Sequence, residues 1–459
     1  MEAIRFENVY FRYNEECTIL RNINVSFNYG EFVLINGTSG SGKSTLISLI
    51  NGEIPNYKNG EIVGNIFING ENILNKSISY LSTKVGCVLQ NADLQIIHDY
   101  VDDEIAFGLE NLNYNSTQIE QSINKITNIL NLNKNDKCKT LSGGQKRRLI
   151  TASTLVMKQK IVLLDEPLAN LDKRSADIIL YELTRLVKEE NYLVIVVEHR
   201  IDLLKNYVNK VYLLDNGELK ENQLIQYDLL DLKINNYSTN NKIMELKNIN
   251  VFFGKKEILS NINLSLYQGE RILLLGENGC GKTTLTKIMA KLIKPNKGII
   301  ESTINKRHWF KNIGYIFQNP NYQLFMPTVE KEISYNVIDN ELKEYLINKL
   351  NLKPLLSRHP FSLSEGQKRK VAVCAICALK PQILFLDEPT VGQDEENLKA
   401  ILECILYLNE KYKTTIVLIS HDERCIKQIP NRIVYIKDKM IYKIGGKEIY
   451  SEYKENLDV

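Results

Sequence analysis

Gly37-Thr38-Ser39-Gly40-Ser41-Gly42-Lys43-Ser44 and Gly276-Glu277-Asn278-Gly279-Cys280-Gly281-Lys282-Thr283 are the stretches of this chain best suited to chemistry, and they share one pattern, G-x-x-x-x-G-K-[ST]. In such a loop the glycines let successive backbone N–H groups close around a triphosphate. The lysine neutralises β/γ oxygens, and the hydroxyl of Ser44 or Thr283 faces Mg²⁺. Each loop follows an apolar run, Phe32-Val33-Leu34-Ile35 or Ile272-Leu273-Leu274-Leu275, and runs on through Thr45 or Thr284 into a helical pattern. A strand–loop–helix of this kind puts the phosphates at a helix N-terminus, where the aligned peptide dipoles favour anions.

Two carboxylate pairs complete the chemistry. Ile161-Val162-Leu163-Leu164-Asp165-Glu166-Pro167 and Ile383-Leu384-Phe385-Leu386-Asp387-Glu388-Pro389 read as buried strands that end in acids. Asp165 and Asp387 can hold Mg²⁺, directly or through water, while Glu166 and Glu388 can polarise an attacking water. His199 and His421 each follow the aspartate by 34 positions, a constancy that sets them apart from incidental histidines.

The elements that must position these residues also occur twice. Asn22-Ile23-Asn24-Val25-Ser26-Phe27 returns as Asn261-Ile262-Asn263-Leu264-Ser265-Leu266, and Gly30-Glu31 as Gly269-Glu270, 239 positions on. Further along, Ser142 pairs with Ser364, Asp165 with Asp387 and His199 with His421, 222 positions on. This is an internal duplication whose second copy has lost 17 residues between the phosphate loop and Ser364. Each copy opens with alternating apolar residues, Ile4 and Phe6 or Met244 and Leu246, the period of a strand. Mid-copy the period changes. Thr117-x-x-Glu120 reads as a capping box ahead of Ile119, Ile123, Ile126, Ile129 and Leu130, and Leu342, Tyr345, Leu346 and Leu350 repeat the helical spacing. Each copy is therefore α/β, with a helical insert between strand-rich parts.

Asp215-Asn216-Gly217-Glu218 reads as a tight hairpin. The polar stretch after it suits a flexible linker. The expected organisation is a first domain over 1–234, a linker over 235–242 and a second domain over 243–459.

Composition sets outer bounds. With 459 residues, 44% hydrophobic and 25% charged, the chain suits a globular protein of two or three domains. A net charge of +3 gives no reason to expect a nucleic-acid partner. No apolar run reaches the ~18–20 residues that span a bilayer; Val371–Leu379 reads as a buried helix instead. Met1-Glu2-Ala3-Ile4-Arg5-Phe6 carries neither a basic leader nor an apolar core, so a cytoplasmic location is expected. The scattered cysteines suit a reducing compartment, with Cys374 and Cys377 as buried helix thiols.

Leu141-Ser142-Gly143-Gly144-Gln145 and Leu363-Ser364-Glu365-Gly366-Gln367, taken with the other motifs, resemble the signature of the ATP-binding-cassette (ABC) ATPases, and the resemblance covers nearly the whole chain. It implies two P-loop NTPase domains in tandem, each with a RecA-like α/β core, an antiparallel β subdomain and an α-helical subdomain. It also implies ATP and Mg²⁺. Gln90 and Gln318 match the glutamine that senses Mg²⁺ and water, His199 and His421 the histidine at the γ-phosphate, and Tyr13 and Phe253 the aromatic that stacks on adenine. Ala169-Asn170-Leu171-Asp172 and Val391-Gly392-Gln393-Asp394 match the loop that crosses the dimer interface. In the family, each ATP lies between one phosphate loop and the opposite signature. One site would combine Lys43, Gln90, Glu166 and His199 with Ser364 and Gly366, the other Lys282, Gln318, Glu388 and His421 with Ser142 and Gly144. With both Glu and both His present, two hydrolytic sites are expected. Glu365, where a glycine is usual, brings a carboxylate near one γ-phosphate and predicts slower turnover there. Cys280 predicts thiol modification that ATP blocks.

Gln318-Asn319-Pro320-Asn321-Tyr322-Gln323-Leu324-Phe325-Met326-Pro327-Thr328-Val329-Glu330 looks like the corresponding segment of the ATPases that energise energy-coupling-factor (ECF) vitamin and metal-ion importers. The first copy has a looser version, Gln90-Asn91-Ala92-Asp93-Leu94-Gln95, running to Asp102-Asp103-Glu104, whose acids can meet arginines of a partner or form a solvated helix start. Val197-Glu198-His199-Arg200 is similar to a variant in fused members of that group. The implied partners are a membrane scaffold with coupling helices and a substrate-binding membrane protein, with this chain peripheral on the cytoplasmic face. A soluble tandem ABC protein acting on ribosomes is the alternative, although such proteins carry a long charged helical linker and here only 26 residues separate Gly217 from Met244. An exporter ATPase is another alternative. A DNA-repair ABC protein would need paired zinc-binding cysteines, which this sequence lacks.

Overall fold

Phe32–Asn36, the run ahead of the first phosphate loop, is a central strand of a six-stranded sheet. The computed structural model describes residues 1–459 except 15–16, 39, 170, 223–229, 233, 235–239, 391 and 456–459. It divides into two units, Met1–Tyr227 and Asp228–Val459.

In the first unit β1 (Glu2–Asn14) and β2 (Cys17–Asn28) form a long antiparallel pair that leads into β3 (Phe32–Asn36). β4 (Glu61–Ile68) and short β5 (Glu71–Asn72) complete an antiparallel sheet, ordered β2-β1-β4-β5. The second sheet holds β6 (Val85–Val88), β7 (Ile161–Asp165), β8 (Leu193–Val197), β9 (Lys210–Asp215) and β10 (Glu218–Asn222), ordered β10-β9-β3-β8-β7-β6. All its pairings are parallel except the β9–β10 hairpin. That hairpin turns at Asn216 and Gly217, both at positive φ (48° and 82°), as the sequence predicts for a type I′ turn.

Parallel strands covered on both faces are apolar throughout, and every residue of β7 and β8 is buried. Alternate residues of β3 serve different cores. Val33 and Ile35 pack with Phe6, Phe11, Leu46 and Leu49, between the antiparallel sheet and the helix Lys43–Ile50. Phe32 and Leu34 pack with Leu149, Ile179, Leu183 and Leu186, from the helices Gly143–Leu155 and Lys173–Glu190.

The second unit repeats this plan with β11 (Lys242–Phe253), β12 (Lys256–Tyr267), β13 (Arg271–Leu275), β14 (Lys297–Ser302), β15 (Ile313–Ile316), β16 (Ile383–Asp387), β17 (Thr415–Ile419), β18 (Arg432–Lys437) and β19 (Met440–Gly445). Its sheets are ordered β12-β11-β14 and β15-β16-β17-β13-β18-β19. The antiparallel sheet has three described strands where the first unit has four, and the helix after Gln318 spans Val329–Ser334 where its counterpart spans Val101–Asn111. These two places, with the segment between the phosphate-loop helix and β4 that holds the short helix Glu53–Asn56 in the first unit, account for the shorter second copy.

Three expectations need adjusting. The capping box of the helix Ser116–Ile129 is Asn115 with Gln118, not Thr117 with Glu120. Gln118 N–H donates to Asn115 Oδ1 at 2.9 Å and Asn115 N–H to Gln118 Oε1 at 3.2 Å. Asn115 has the extended backbone an N-cap requires, so the helix starts earlier than the Thr-x-x-Glu pattern implies. The contact boundary falls at Tyr227/Asp228, ahead of the expected end of the first domain at 234. Leu230 is buried in the second unit's core, with Leu232 and Ile234 packed against it. Of the expected linker 235–242, residues 235–239 lie outside the described residues and Lys242 already belongs to β11. Finally, Glu104 is buried while Asp102 and Asp103 lie nearer the surface, so the three acids do not act as one charged patch.

The two interiors differ in polarity at the first position of the central strand. Phe32 in β3 is replaced by Arg271, only 1% exposed, in β13. The Arg271 guanidinium donates to Ile429 O at 2.7 Å and to Asn409 Oδ1 at 2.9 Å. Asn409 in turn donates to the carbonyls of Gly269 and Thr414 at 2.9 and 2.8 Å. The first unit has Val187 and Tyr192 where the second has Asn409 and Thr414.

Candidate functional site

Each phosphate loop is shaped by glycines at the strand-to-helix turn. Gly42 precedes the helix Lys43–Ile50 with φ 105°, and a Cβ there would lie 2.9 Å from Ile19 Cγ2. Gly281 repeats this ahead of the helix Lys282–Met289, with φ 102° and Leu259 Cδ2 at 2.6 Å. Any other residue would be both strained and obstructed. Lys43 Nζ donates to Gly37 O and Thr38 O at 2.8 Å each, and Lys282 Nζ to Gly276 O and Glu277 O at 2.7 and 2.9 Å. The ammonium is thus held inside the curl of the loop, beside the N–H groups of the first helical turn that have no intrahelical acceptor. Thr38, Gly40, Glu277, Asn278 and Gly279 are exposed, and Ser41, Cys280 and Thr284 half-buried; Ser39 lies outside the described residues.

Beside each loop a carboxylate meets the hydroxyl that follows the lysine. Thr283 Oγ1 donates to Asp387 Oδ1 at 3.1 Å, and Ser44 bonds to Asp165. Both aspartates are buried, and burial raises their pKa against the pull of that hydroxyl and of the neighbouring lysine. Oδ1 of Asp165 is buried with no hydrogen-bond partner. An orphaned carboxylate oxygen next to a hydroxyl fits Mg²⁺, a hard cation bound by one or two protein oxygens and completed by water and phosphate oxygens. Ser44 with Asp165, and Thr283 with Asp387, would hold it; bound there it would neutralise phosphate charge.

Glu166 and Glu388 end β7 and β16 with the same left-handed backbone, φ 50° in each. Such a conformation is uncommon outside glycine and concentrates at functional sites. The neighbouring strand holds it: Glu166 N–H donates to Val197 O at 2.8 Å and Glu388 N–H to Ile419 O at 3.0 Å. His199 Nε2 lies 3.7 Å from Glu166 Oε1, and His421 Nε2 3.6 Å from Glu388 Oε1. His421 also reaches Asn278 Oδ1 of the phosphate loop at 3.1 Å. The Glu166 carboxyl is pushed up to about 7, first by burial and then by the nearby charges of Glu198 and Asp165, against a hydrogen bond from Gln90. Glu166, His199, the Ser44–Asp165 pair and Gln90 therefore converge in the first unit. In the second, Gln318 is exposed and its carbonyl accepts from Arg369.

Arg147 and Arg369, outside the motifs, tie the site's loops together. Arg147 donates to Leu89 O at 2.9 Å and to Gln90 O. Arg369 bridges Gln318 O and Glu388 O at 2.8 Å each. Both follow the signature glutamine by two residues, and both are buried, which joins the signature helix to the glutamine loop. Glu104 and Glu332 are structural acids. Glu332 Oε2 accepts the N–H groups of Phe325 and Met326, and Glu104 Oε2 those of Ile97 and His98, all at 2.8 Å.

Ser142 and Ser364 cap the helices Gly143–Leu155 and Glu365–Cys377, each in a capping box with Gln145 or Gln367. The serines, Gly143 and Glu365 are exposed; Gly144 is buried and Gly366 half-buried. The Glu365 carboxylate accepts from Lys368 at 3.1 Å and Asn321 at 3.4 Å. Its charge is thus paired within its own unit, which weakens the reason for expecting it to slow a site. Tyr13 and Phe253 are 45% and 51% exposed, as a base-stacking ring must be. The Tyr13 hydroxyl lies 3.2 Å from that of Thr45, beside the phosphate loop. Leu171, Asp172, Gln393 and Asp394 are buried, whereas Asn170 and Val391 lie outside the described residues.

Known proteins share this arrangement. A family model described as ABC transporter matches residues 20–169 and 259–391. A protein of Treponema denticola, provisionally named an ABC transporter ATP-binding protein, is 30% identical over 99% of this chain and 100% of its own length. One from Clostridium perfringens with the same provisional name is 32% identical over 91% of this chain and 86% of its own. Among solved structures, RNase-L Inhibitor aligns over 98% of this chain and 93% of that chain, with a TM-score of 0.68 at 20% identity. An archaeal ribosome recycling factor, solved with a ribosomal stalk protein, aligns over 98% and 92% with a TM-score of 0.69, also at 20% identity. At that identity the two structures show the tandem fold and nothing further.

Proposed function

The chain belongs to the ABC transporter family as a tandem pair of its ATPase domains, and from that premise we propose that it is the energy-coupling subunit of a membrane importer of the ECF kind, taking up a vitamin or a metal ion. As a family member it hydrolyses ATP to ADP and phosphate. ATP would draw the phosphate loop of each half against the signature of the other, and hydrolysis would release them, moving coupling helices attached to the pair. Lys43, Ser44, Gln90, Asp165, Glu166 and His199 would serve one site and Lys282, Thr283, Gln318, Asp387, Glu388 and His421 the other. Because both halves lie on one chain, they would close at high effective concentration.

One observation carries the importer reading. After each glutamine the chain exposes a rigid apolar tip: Leu94 and Ile97 are 81% and 69% exposed, and Tyr322 and Phe325 78% and 66%. The buried Glu104 and Glu332 pin those tips from beneath. Large apolar side chains held out in water mark a binding surface, and a short amphipathic helix of a membrane subunit is the occupant their spacing suits. No helix among the described residues is long and apolar enough to cross a membrane itself, so transport would need such a subunit.

Detergent extraction of native membranes, capture on this chain and mass spectrometry test the reading. Recovery of a multispanning scaffold with a small substrate-binding membrane protein is expected. Recovery of ribosomes without membrane proteins would replace it with the soluble alternative, and recovery of an exporter's membrane domain would reverse the direction of transport.

A further inference from the structure

The turn after β8 differs from the turn after β17 in a way that reaches the general base. In the second unit Ser420 precedes His421, and its hydroxyl meets Thr390 Oγ1 at 3.2 Å and accepts the N–H of Asp422 at 3.1 Å. The N–H of His421 donates to Glu388 Oε2 at 3.3 Å. In the first unit the counterparts of Thr390 and Ser420 are Leu168 and Glu198. Leu168 has no hydroxyl to offer. Glu198, 2% exposed, bridges the gap with its longer side chain: Oε2 accepts the N–H of Leu168 at 3.1 Å, and Oε1 accepts those of His199 at 2.8 Å and Arg200 at 3.3 Å.

The exchange is concerted, because either residue alone would leave a partner missing. A serine at 198 could not reach the loop at 168, and a leucine there would bury the three N–H groups without an acceptor. The backbone donor that reaches the base in the second unit is engaged by Glu198 in the first.

We infer that Glu198 is a positioning residue of the first ATP site, fixing Glu166 and His199 relative to each other by clamping the histidine turn to the loop that follows the base. The inference rests on Glu166 being that base. The raised pKa of Glu166, to which the Glu198 charge contributes, accords with their proximity.

The test uses the full chain carrying Glu388→Gln, so that hydrolysis reports the first site. Added Glu166→Gln checks the base itself: if it leaves the remaining rate intact, the assignment of Glu166 fails, separately from the role of Glu198. Glu198→Ser is expected to lower kcat at least about fivefold with KM for ATP within about twofold, the pattern of an interaction felt at the chemical step. Adding Leu168→Thr rebuilds the serine–threonine arrangement and is expected to restore kcat to within about twofold of the Glu388→Gln parent. Glu198→Gln, which keeps the size, is expected to lower kcat about threefold, and it serves if Glu198→Ser does not fold. Unchanged kcat in the folded Glu198 variants overturns the proposal. So does a double exchange that restores thermal stability without restoring kcat, because Glu198 would then only hold the loop.

Discussion

The hydroxyl of Thr283 donates to Oδ1 of Asp387 across 3.1 Å, joining the first turn of the phosphate-loop helix to the end of β16. One bond thus sets the separation of two oxygens that would share a metal. Thr283→Ala removes one of them and leaves Asp387 buried without that donor. Hydrolysis at the second site, isolated with Glu166→Gln, should then need about tenfold more Mg²⁺ for half its maximal rate, equivalent to ~1.4 kcal/mol. Magnesium titrations that coincide for the variant and its parent would remove Thr283 from the metal site.

A carboxylate base works only when deprotonated. Burial, with the charges of Glu198 and Asp165, carries Glu166 up to about 7, so its site should lose activity as pH falls through about 7 rather than near the ordinary carboxylate range. The pH–rate profile of Glu388→Gln should show this acid limb. A profile flat down to pH 5.5 would contradict it.

Much of this arrangement is legible in the sequence because phosphate chemistry demands fixed residues at fixed spacing. Both phosphate loops, both acid pairs and both histidines fall where strand–loop–helix logic puts them, and the hairpin at Asn216-Gly217 forms with positive φ at both residues. Arg147, Arg369, Glu104 and Glu332 were less visible, since each bonds to backbone atoms of a distant loop and backbone partners leave no trace in side-chain patterns. The cap at Asn115 was hidden by a rival Thr-x-x-Glu pattern two residues on. Glu198 stands in the sequence as part of a variant motif; its bonds to Leu168, His199 and Arg200 emerge only from the fold.

Glu332 supports an exposed tip through two backbone N–H groups. Glu332→Ala removes the acceptor of both part-buried N–H groups, a local cost of about 1 kcal/mol for each, and should loosen Tyr322–Phe325. Under the importer reading, capture of the membrane scaffold should fall about tenfold or more while the chain still binds ATP. Undiminished capture would mean that this tip is not the docking surface.

Cys280 is half-buried in the second phosphate loop, and burial holds its thiol above the usual range, with the Lys282 charge pulling the other way. A maleimide should therefore modify it slowly at pH 7 and faster as pH rises, since the thiolate reacts. Saturating ATP should suppress the reaction. Labelling at equal rates with and without ATP, located by peptide mapping, would show that nucleotide does not cover this thiol.

Near the C-terminal end, burial alone would raise the Glu423 carboxyl, but bonds from Lys427, at 2.7 Å, and from Lys454 bring it down to about 2. A depressed carboxyl stabilises the fold above its unfolded pKa, and that contribution is lost as pH falls from about 4.5 towards 2. Glu423→Gln should cost about 1 kcal/mol at pH 7, given partial exposure, with the deficit shrinking below pH 4.5. Urea unfolding at pH 7 and pH 4 measures both; an equal deficit at the two pH values would point to packing instead of charge.

Two six-stranded sheets of the same strand order on one chain create a hazard during synthesis, because a strand of one copy could enter the sheet of the other. The Arg271 cluster guards against that error. Were β3 to take the place of β13, Asn409 would keep its polar side chain against Phe32 and lose its guanidinium partner. Were β13 to take the place of β3, a buried cation would meet Val187 where it now has the Asn409 oxygen, and removing one partner of a buried charged group costs on the order of 3 kcal/mol. The divergent interiors make such an exchange costly in either direction.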